Sequence, residues 1–163
     1  MKRQANFRFH GDLLPLLVPE QRNGYFGYPF QGDQSAKHLV EAAHVPHTEV
    51  GALRIDDNPA GLGAIVPDGA RVDVFPCAPP AQPEPDPRFI LDNHLGRLAA
   101  HLRMLGFDCL YRNDYQDEEL AAVSAAEGRI LLTRDRCLLM RKSVLRGRLL
   151  RSRDSEAQLE EIV

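Results

Sequence analysis

The period of the apolar positions changes about halfway along this chain. From residue 88 onward, short unbroken apolar runs alternate with stretches of helical spacing. Phe89-Ile-Leu91 reads as a buried strand, and Leu95, Leu98, Ala99, Leu102 and Leu105 then mark one face of a helix that Gly106 ends. Cys109-Leu-Tyr111 is a second strand, and residues 117–126 form a second helix closed by Gly128. Arg129-Ile-Leu-Leu-Thr133 is the third strand, followed by a basic helix running through Lys142. Arg148-Leu-Leu-Arg151 is the fourth strand, with a last helix from Asp154. Strands joined in succession by helices need right-handed crossovers, so this half predicts a parallel α/β sheet.

Earlier in the chain the period is two. Asn6-Phe-Arg-Phe-His10 alternates apolar and polar residues, and Tyr25-Phe-Gly-Tyr-Pro-Phe30 gives an aromatic strand a hairpin's length later. Ser35 caps a helix with Leu39, Val40 and Ala43 on its apolar face, and Pro46 stops it. Gly51-Ala-Leu-Arg-Ile55, a turn at Asp57-Asn-Pro59 and a last strand at Arg71-Val-Asp-Val-Phe75 complete the pattern. The order β-β-α-β-β, with an Asp68-Gly69 turn before the last strand, resembles the sulfur-carrier type of ubiquitin-like β-grasp fold. Carriers of that type end in a free Gly-Gly tail activated at its carboxylate. Here Phe75 runs into Pro76-Cys77, so the resemblance implies a docking module, with an active carrier as the rival reading.

Between the two patterns lies Pro76-Cys-Ala-Pro-Pro-Ala-Gln-Pro-Glu-Pro-Asp-Pro87. Repeated prolines cannot propagate a helix and lack the donors of an interior strand. The expected organisation is therefore an α+β domain over 1–76, a semi-rigid linker over 77–87 and an α/β domain over 88–163.

An apolar share of 44% and a charged share of 26% allow each module its own core. The net charge of -3 hides an uneven split. Residues 1–87 hold 7 Lys/Arg against 11 Asp/Glu, and residues 88–163 hold 13 against 12. A polyanion partner must then be argued from where the arginines sit rather than from their sum. The three cysteines, Cys77, Cys109 and Cys137, make no CxxC pair, which fits a reducing, cytoplasmic setting better than a disulfide framework. Cys109 and Cys137 fall in apolar settings and are expected to pack. No apolar run approaches the ~20 residues of a membrane span, and the amino terminus lacks a signal-peptide core.

Candidate chemistry is acidic. Asp92 and Asp135 each follow an apolar strand and precede a helix, so a parallel sheet would deliver both carboxylates to its carboxyl edge. Asp117 and Asp154 stand at the first turns of later helices and could converge on the same edge. Hard oxygen ligands with water completing the sphere suit Mg²⁺ or Mn²⁺. Each acid alone could equally cap its helix, Asp117 and Asp154 most readily.

The strings Phe89-Ile-Leu-Asp92, Leu95-Gly-Arg-Leu-Ala99, Leu102-Arg-Met-Leu-Gly-Phe-Asp108, Asp117-Glu-Glu-Leu120 and Leu131-Leu-Thr-Arg-Asp-Arg136 together resemble the PIN-like ribonuclease family named after the C-terminal domain of the Mut-seven exonuclease. Bacterial members of that family place a ubiquitin-like module in front. The resemblance implies divalent-metal-dependent hydrolysis of RNA. Asp92, Asp117 and Asp135 would form the acidic, metal-holding core, and Asp154 a fourth catalytic member. Fuller members continue into a cysteine-paired zinc ribbon. The sequence ends at Val163 without one, which bears on RNA affinity and substrate choice more than on the centre itself.

Around those acids, Thr133 could hydrogen-bond a carboxylate or a phosphate, and Arg134 and Arg136 could offer guanidinium forks to phosphate or simply balance charge. Arg97, near the amino end of its helix and off the leucine face, is the better placed of that helix's arginines for substrate. Asn93 either aims at the metal or occupies the turn. His94 reads as a partly exposed side chain rather than a ligand. The rival to an enzyme is an RNA-binding adaptor that keeps the fold without productive metal geometry. Beyond RNA, the sequence leaves open a protein partner for the first module and pairing of two chains, and gives no membrane partner.

Overall fold

Strand alternation sets the first sheet. Ala5, Phe7 and Phe9 of β1 (Lys2–Phe9) are buried while the residues between them are not. The computed structural model describes residues 1–78, 82 and 84–163, and the chain divides into two units, Met1–Pro79 and Pro80–Val163. Of the segment expected as a linker over 77–87, Pro79, Pro80, Ala81 and Pro83 lie outside the described residues.

In the first unit β1 is followed by β2 (Phe26–Gln31), α1 (Ala36–Ala42), β3 (Val50–Ile55), β4 (Asn58–Ala60) and β5 (Arg71–Pro76). The sheet order is β2-β1-β5-β3-β4, with β1 and β5 parallel and the other pairs antiparallel. Ser35 caps α1 by accepting the His38 amide at 3.2 Å, and the helix buries Ala36, Leu39 and Val40. This is the ubiquitin-like arrangement, with one more strand than the alternation predicts. The turn expected at Asp57-Asn-Pro59 falls one residue earlier. Asp56 and Asp57 take φ of 50° and 67°, as a two-residue hairpin of this hand requires, and Asp tolerates that region. Asn58 and Pro59 then join an edge strand, where a proline costs no ladder donor. Between β1 and β2 a 3-10 segment, Gly11–Leu16, adds Leu13 and Leu16 to the core.

In the second unit β6 (Arg88–Leu91), α2 (Gly96–Met104), β7 (Asp108–Leu110), α3 (Asp117–Glu127), β8 (Ile130–Thr133), α4 (Arg136–Leu139), β9 (Gly147–Leu149) and α5 (Ser155–Ile162) alternate. The four strands are all parallel, in the order β7-β6-β8-β9. The central strands are covered on both faces, which is why they read as apolar runs rather than as alternation. Leu95, Leu98, Ala99 and Leu102 pack with Phe89, Leu91, Leu132 and Leu150, and Leu159 and Ile162 of α5 close over them. Gly128, at φ 63°, supplies the left-handed cap that ends α3. The expected basic helix through Lys142 shortens to the single turn of α4. Beyond Met140 the chain turns so that Val144 enters the core, and a helix continued over Arg141 and Lys142 would have no apolar face to bury. Cys137, expected to pack, is exposed on α4, whereas Cys109 is buried and desolvation pushes its thiol up to about 11. No helix among the described residues is long and apolar enough to cross a membrane.

The first sheet carries a buried acid on the face away from α1. Val72 and Val74 point into the core, so Asp73 between them points to the other side. It is 8% exposed and is held by His10 Nε2 at 2.9 Å and by the Tyr25 hydroxyl at 2.8 and 3.0 Å. Burial alone would raise its carboxyl, but the bonds from His10 and Tyr25 and the charge of Arg8 outweigh it and hold the group below the usual range. The same bond raises the Tyr25 phenol. A carboxyl depressed on folding contributes stability that is complete above its unfolded value and is lost as pH falls through the folded one. Asp73→Asn is expected to cost about 2 kcal/mol at neutral pH. The gap from wild type should narrow below about pH 4, as urea unfolding at pH 7 and pH 3 would measure. A gap that does not change with pH would mean that Asp73 acts through packing alone.

Candidate active site

In the parallel sheet, β6 and β8 are neighbours whose chains leave in opposite directions. From β6 the chain passes through α2 to β7 on one flank, and from β8 through α4 to β9 on the other. Such a reversal opens a crevice at the carboxyl ends of the two strands. Asp92 and Asp135 are the acids that emerge there.

Asp92 continues the ladder through its amide, which donates to the Leu132 carbonyl at 3.2 Å. Its side chain is 10% exposed. The oxygen Oδ1 accepts the His94 amide at 2.8 Å, and Oδ2 accepts the Thr133 hydroxyl at 2.5 Å. Thr133 Oγ1 in turn accepts the Asp135 amide at 2.9 Å. Of the two partners open to Thr133, the structure therefore shows the carboxylate. Thr133 has no exposed surface, and its hydroxyl is committed to Asp92 as donor and to the Asp135 amide as acceptor. Asp135 caps α4, its Oδ1 accepting the amides of Cys137 at 2.9 Å and Leu138 at 3.4 Å.

Asp117 and Asp154 sit apart from that linked set. Asp117 is exposed in the first turn of α3, after the edge strand β7, and Gln116 takes the cap position ahead of it. Asp154 caps α5 by accepting the Ala157 amide at 3.1 Å. Among the described residues no three His, Cys, Asp or Glu side chains stand together as a metal-holding group, so Asp92, Asp117 and Asp135 are not gathered into one cluster.

The donor chemistry nonetheless suits a hard cation. Asp92 is a buried carboxylate whose basic neighbour is His94 Nδ1 at 3.6 Å, on a side chain that is 88% exposed. Each of its oxygens spends one lone pair on a neutral donor and keeps another. Asp135 has one oxygen left after capping. Arg134 is exposed and Arg136 half-buried beside them.

Next to Asp92 a cleft of about 360 Å³ opens between the amino ends of α2 and α5. Arg97 lies in it, as does Asp154. Sequence reasoning passed over Tyr111, Arg153 and Gln158, which also line it. Tyr111 was legible only as the end of a strand, and nothing in the pattern marked the other two. Asn93 occupies the turn, its carbonyl accepting the Tyr111 hydroxyl at 2.9 Å. A Cβ at Gly96 would stand 2.9 Å from that hydroxyl oxygen, so the glycine is what lets Tyr111 reach across the start of α2.

A family model described as the Mut7-C RNAse domain matches residues 87–163, and one described as Mut7-C ubiquitin matches residues 2–82. No curated protein and no solved structure matches the chain.

Thr133→Val keeps the shape and removes both bonds of the bridge. It is expected to cost about 1–3 kcal/mol, because a buried carboxylate oxygen loses its donor, while Thr133→Ser retains most of the stability. Equal denaturation midpoints for the Val and Ser variants would show that the bridge is not what holds the edge.

Proposed function

Residues 87–163 belong to the Mut7-C RNAse domain family and residues 2–82 to the Mut7-C ubiquitin family, and from that premise we propose that the chain is a divalent-metal-dependent ribonuclease with an amino-terminal docking module. The observation that carries the reading is the buried, cation-poor carboxylate of Asp92, tied through Thr133 to Asp135 at the switch point of a parallel sheet.

Asp92 and Asp135 are the residues that would hold Mg²⁺ or Mn²⁺. Two carboxylates suffice for such an ion, since Mg²⁺ keeps several waters and takes substrate phosphate oxygens for the rest of its sphere. When bound, the ion supplies a more acidic water and neutralises charge on the phosphate. Thr133 fixes the orientation of Asp92 by donating to one of its oxygens. Asp117 remains a candidate third acid that substrate or metal would have to draw in, and Asp154 lies at the mouth of the neighbouring cleft. Arg97 and Arg134 are guanidinium groups that could meet RNA phosphates, and Arg136 would do so only by sharing or exchanging a contact it already makes. The ubiquitin-like unit serves as a docking surface for a protein partner, and a reducing cytoplasmic setting suits a chain whose described residues form no disulfide.

One observation favours the adaptor as the second reading, namely the lack of a three-acid group among the described residues. Cleavage of a labelled single-stranded RNA under Mg²⁺ and Mn²⁺ titration separates the two. Asp92→Asn is expected to lower turnover at least 100-fold, with Asp135→Asn similar in direction, and both should keep RNA binding and cooperative unfolding. An intact chain that binds RNA and cleaves none of it at any metal concentration would establish the adaptor.

A further inference from the structure

The cleft beside Asp92 is positively biased by side chains that nothing else in the fold employs. Arg88, Arg103, Arg112, Arg129, Arg146 and Arg148 of this unit each donate to a carbonyl or a carboxylate. Arg97 and Arg153, which line the cleft, have no such partner among the described residues. Two guanidinium groups face one carboxylate there, that of Asp154, and its Oδ2 is committed to the Ala157 amide. Helix α2 also opens on the cleft at Gly96 and Arg97 without a side-chain cap, so its first amides add to the same bias. An anion is the ligand that this lining favours.

Gln158 narrows the choice further. It is 4% exposed, lines the cleft, and donates from Nε2 to the Ser152 carbonyl at 2.8 Å. That bond fixes the amide orientation and leaves Oε1, an acceptor with no partner among the described residues. An acceptor cannot bind phosphate oxygen, but it can take a hydroxyl proton. Phosphate and hydroxyl on one ligand describe a ribose phosphate, whose 2′-hydroxyl is what distinguishes RNA from DNA. A volume of about 360 Å³ lies at the small end of ligand pockets, about 300–1,000 Å³, and suits one nucleotide rather than several.

We propose that this cleft is a subsite for the ribonucleotide next to the scissile bond, with Arg97 and Arg153 on its phosphate and Gln158 Oε1 on its 2′-hydroxyl. The identity of the ligand as a segment of substrate rests on the ribonuclease reading; the binding itself does not.

The experiment is a metal-free titration of the full chain in EDTA, followed by amide NMR at Gly96, Arg97 and Ser155. The probes are a six-nucleotide RNA, the DNA of the same sequence, and inorganic phosphate. The RNA is expected to shift these amides saturably, with the DNA about tenfold weaker, the value of one hydrogen bond of roughly 1.4 kcal/mol. Arg153→Ala should weaken RNA binding about tenfold and Arg153→Lys less. Gln158→Met should bring the RNA to DNA ratio close to one. Should that buried variant fail to fold, the wild-type ratio and the Arg153 pair still decide. Equal RNA and DNA binding, phosphate binding as tight as RNA, or RNA shifts that spare these three amides would each overturn the subsite. Loss of the subsite alongside Asp92-dependent cleavage would leave the ribonuclease standing. Selective RNA shifts in a chain that never cleaves would uphold the cleft and remove the enzyme.

Discussion

A single fully buried hydroxyl organises the carboxyl edge of the second sheet. Thr133 gives its proton to the Asp92 carboxylate and takes the Asp135 amide on its lone pair, while its carbonyl receives the Leu150 amide at 2.9 Å. Three strands, β6, β8 and the end of β9, are thereby fixed relative to one another where the chain turns outward. A buried polar group with this many partners has one orientation available, and the site inherits that rigidity. The metal and phosphate chemistry proposed for this edge would need positioning to about half an ångström, which a bridge of this kind could supply.

Both units bury an aspartate, and the contrast between the two explains what each can do. Asp73 is surrounded by His10, Tyr25 and Arg8, and its charge is spent inside the protein. Asp92 receives only neutral donors and an exposed, more distant His94. A carboxylate already balanced by its neighbours has little left for a ligand, whereas one solvated by neutral donors retains its charge for a cation. The first aspartate reads as architecture and the second as chemistry, although the sequence writes both as an acid inside or just after an apolar strand.

The arginines divide in the same way. Arg129, 5% exposed, joins the amino end of β8 to Asp108 and to the Phe89 carbonyl, and depresses the Asp108 carboxyl through that hydrogen bond. Arg97 and Arg153 are left over at the opposite edge, where the strands end. A nearly neutral unit can therefore present a locally basic cleft, because acids and bases are sorted by position rather than by number.

Apart from the short edge strand β4, the order of strands and α-helices in both units followed from apolar periodicity, since period two and period 3.6 bury different positions and leave different traces in the chain. Asp92 and Asp135 were legible for the same reason, as they end strands and a parallel sheet aligns strand ends. The turn expected at Asp57-Asn-Pro59 was displaced by one residue because a residue of left-handed φ carries no apolar signal, and α4 shrank because Val144 competes for the core. That Thr133 serves a carboxylate, that Asp117 stands apart, and that Arg153, Tyr111 and Gln158 share a cleft with Arg97 could be decided only by tertiary structure. Helix spacing places a residue on a face, but which faces meet is settled when α2 and α5 pack over one sheet. A polar side chain far away in sequence acquires its partner only at that step.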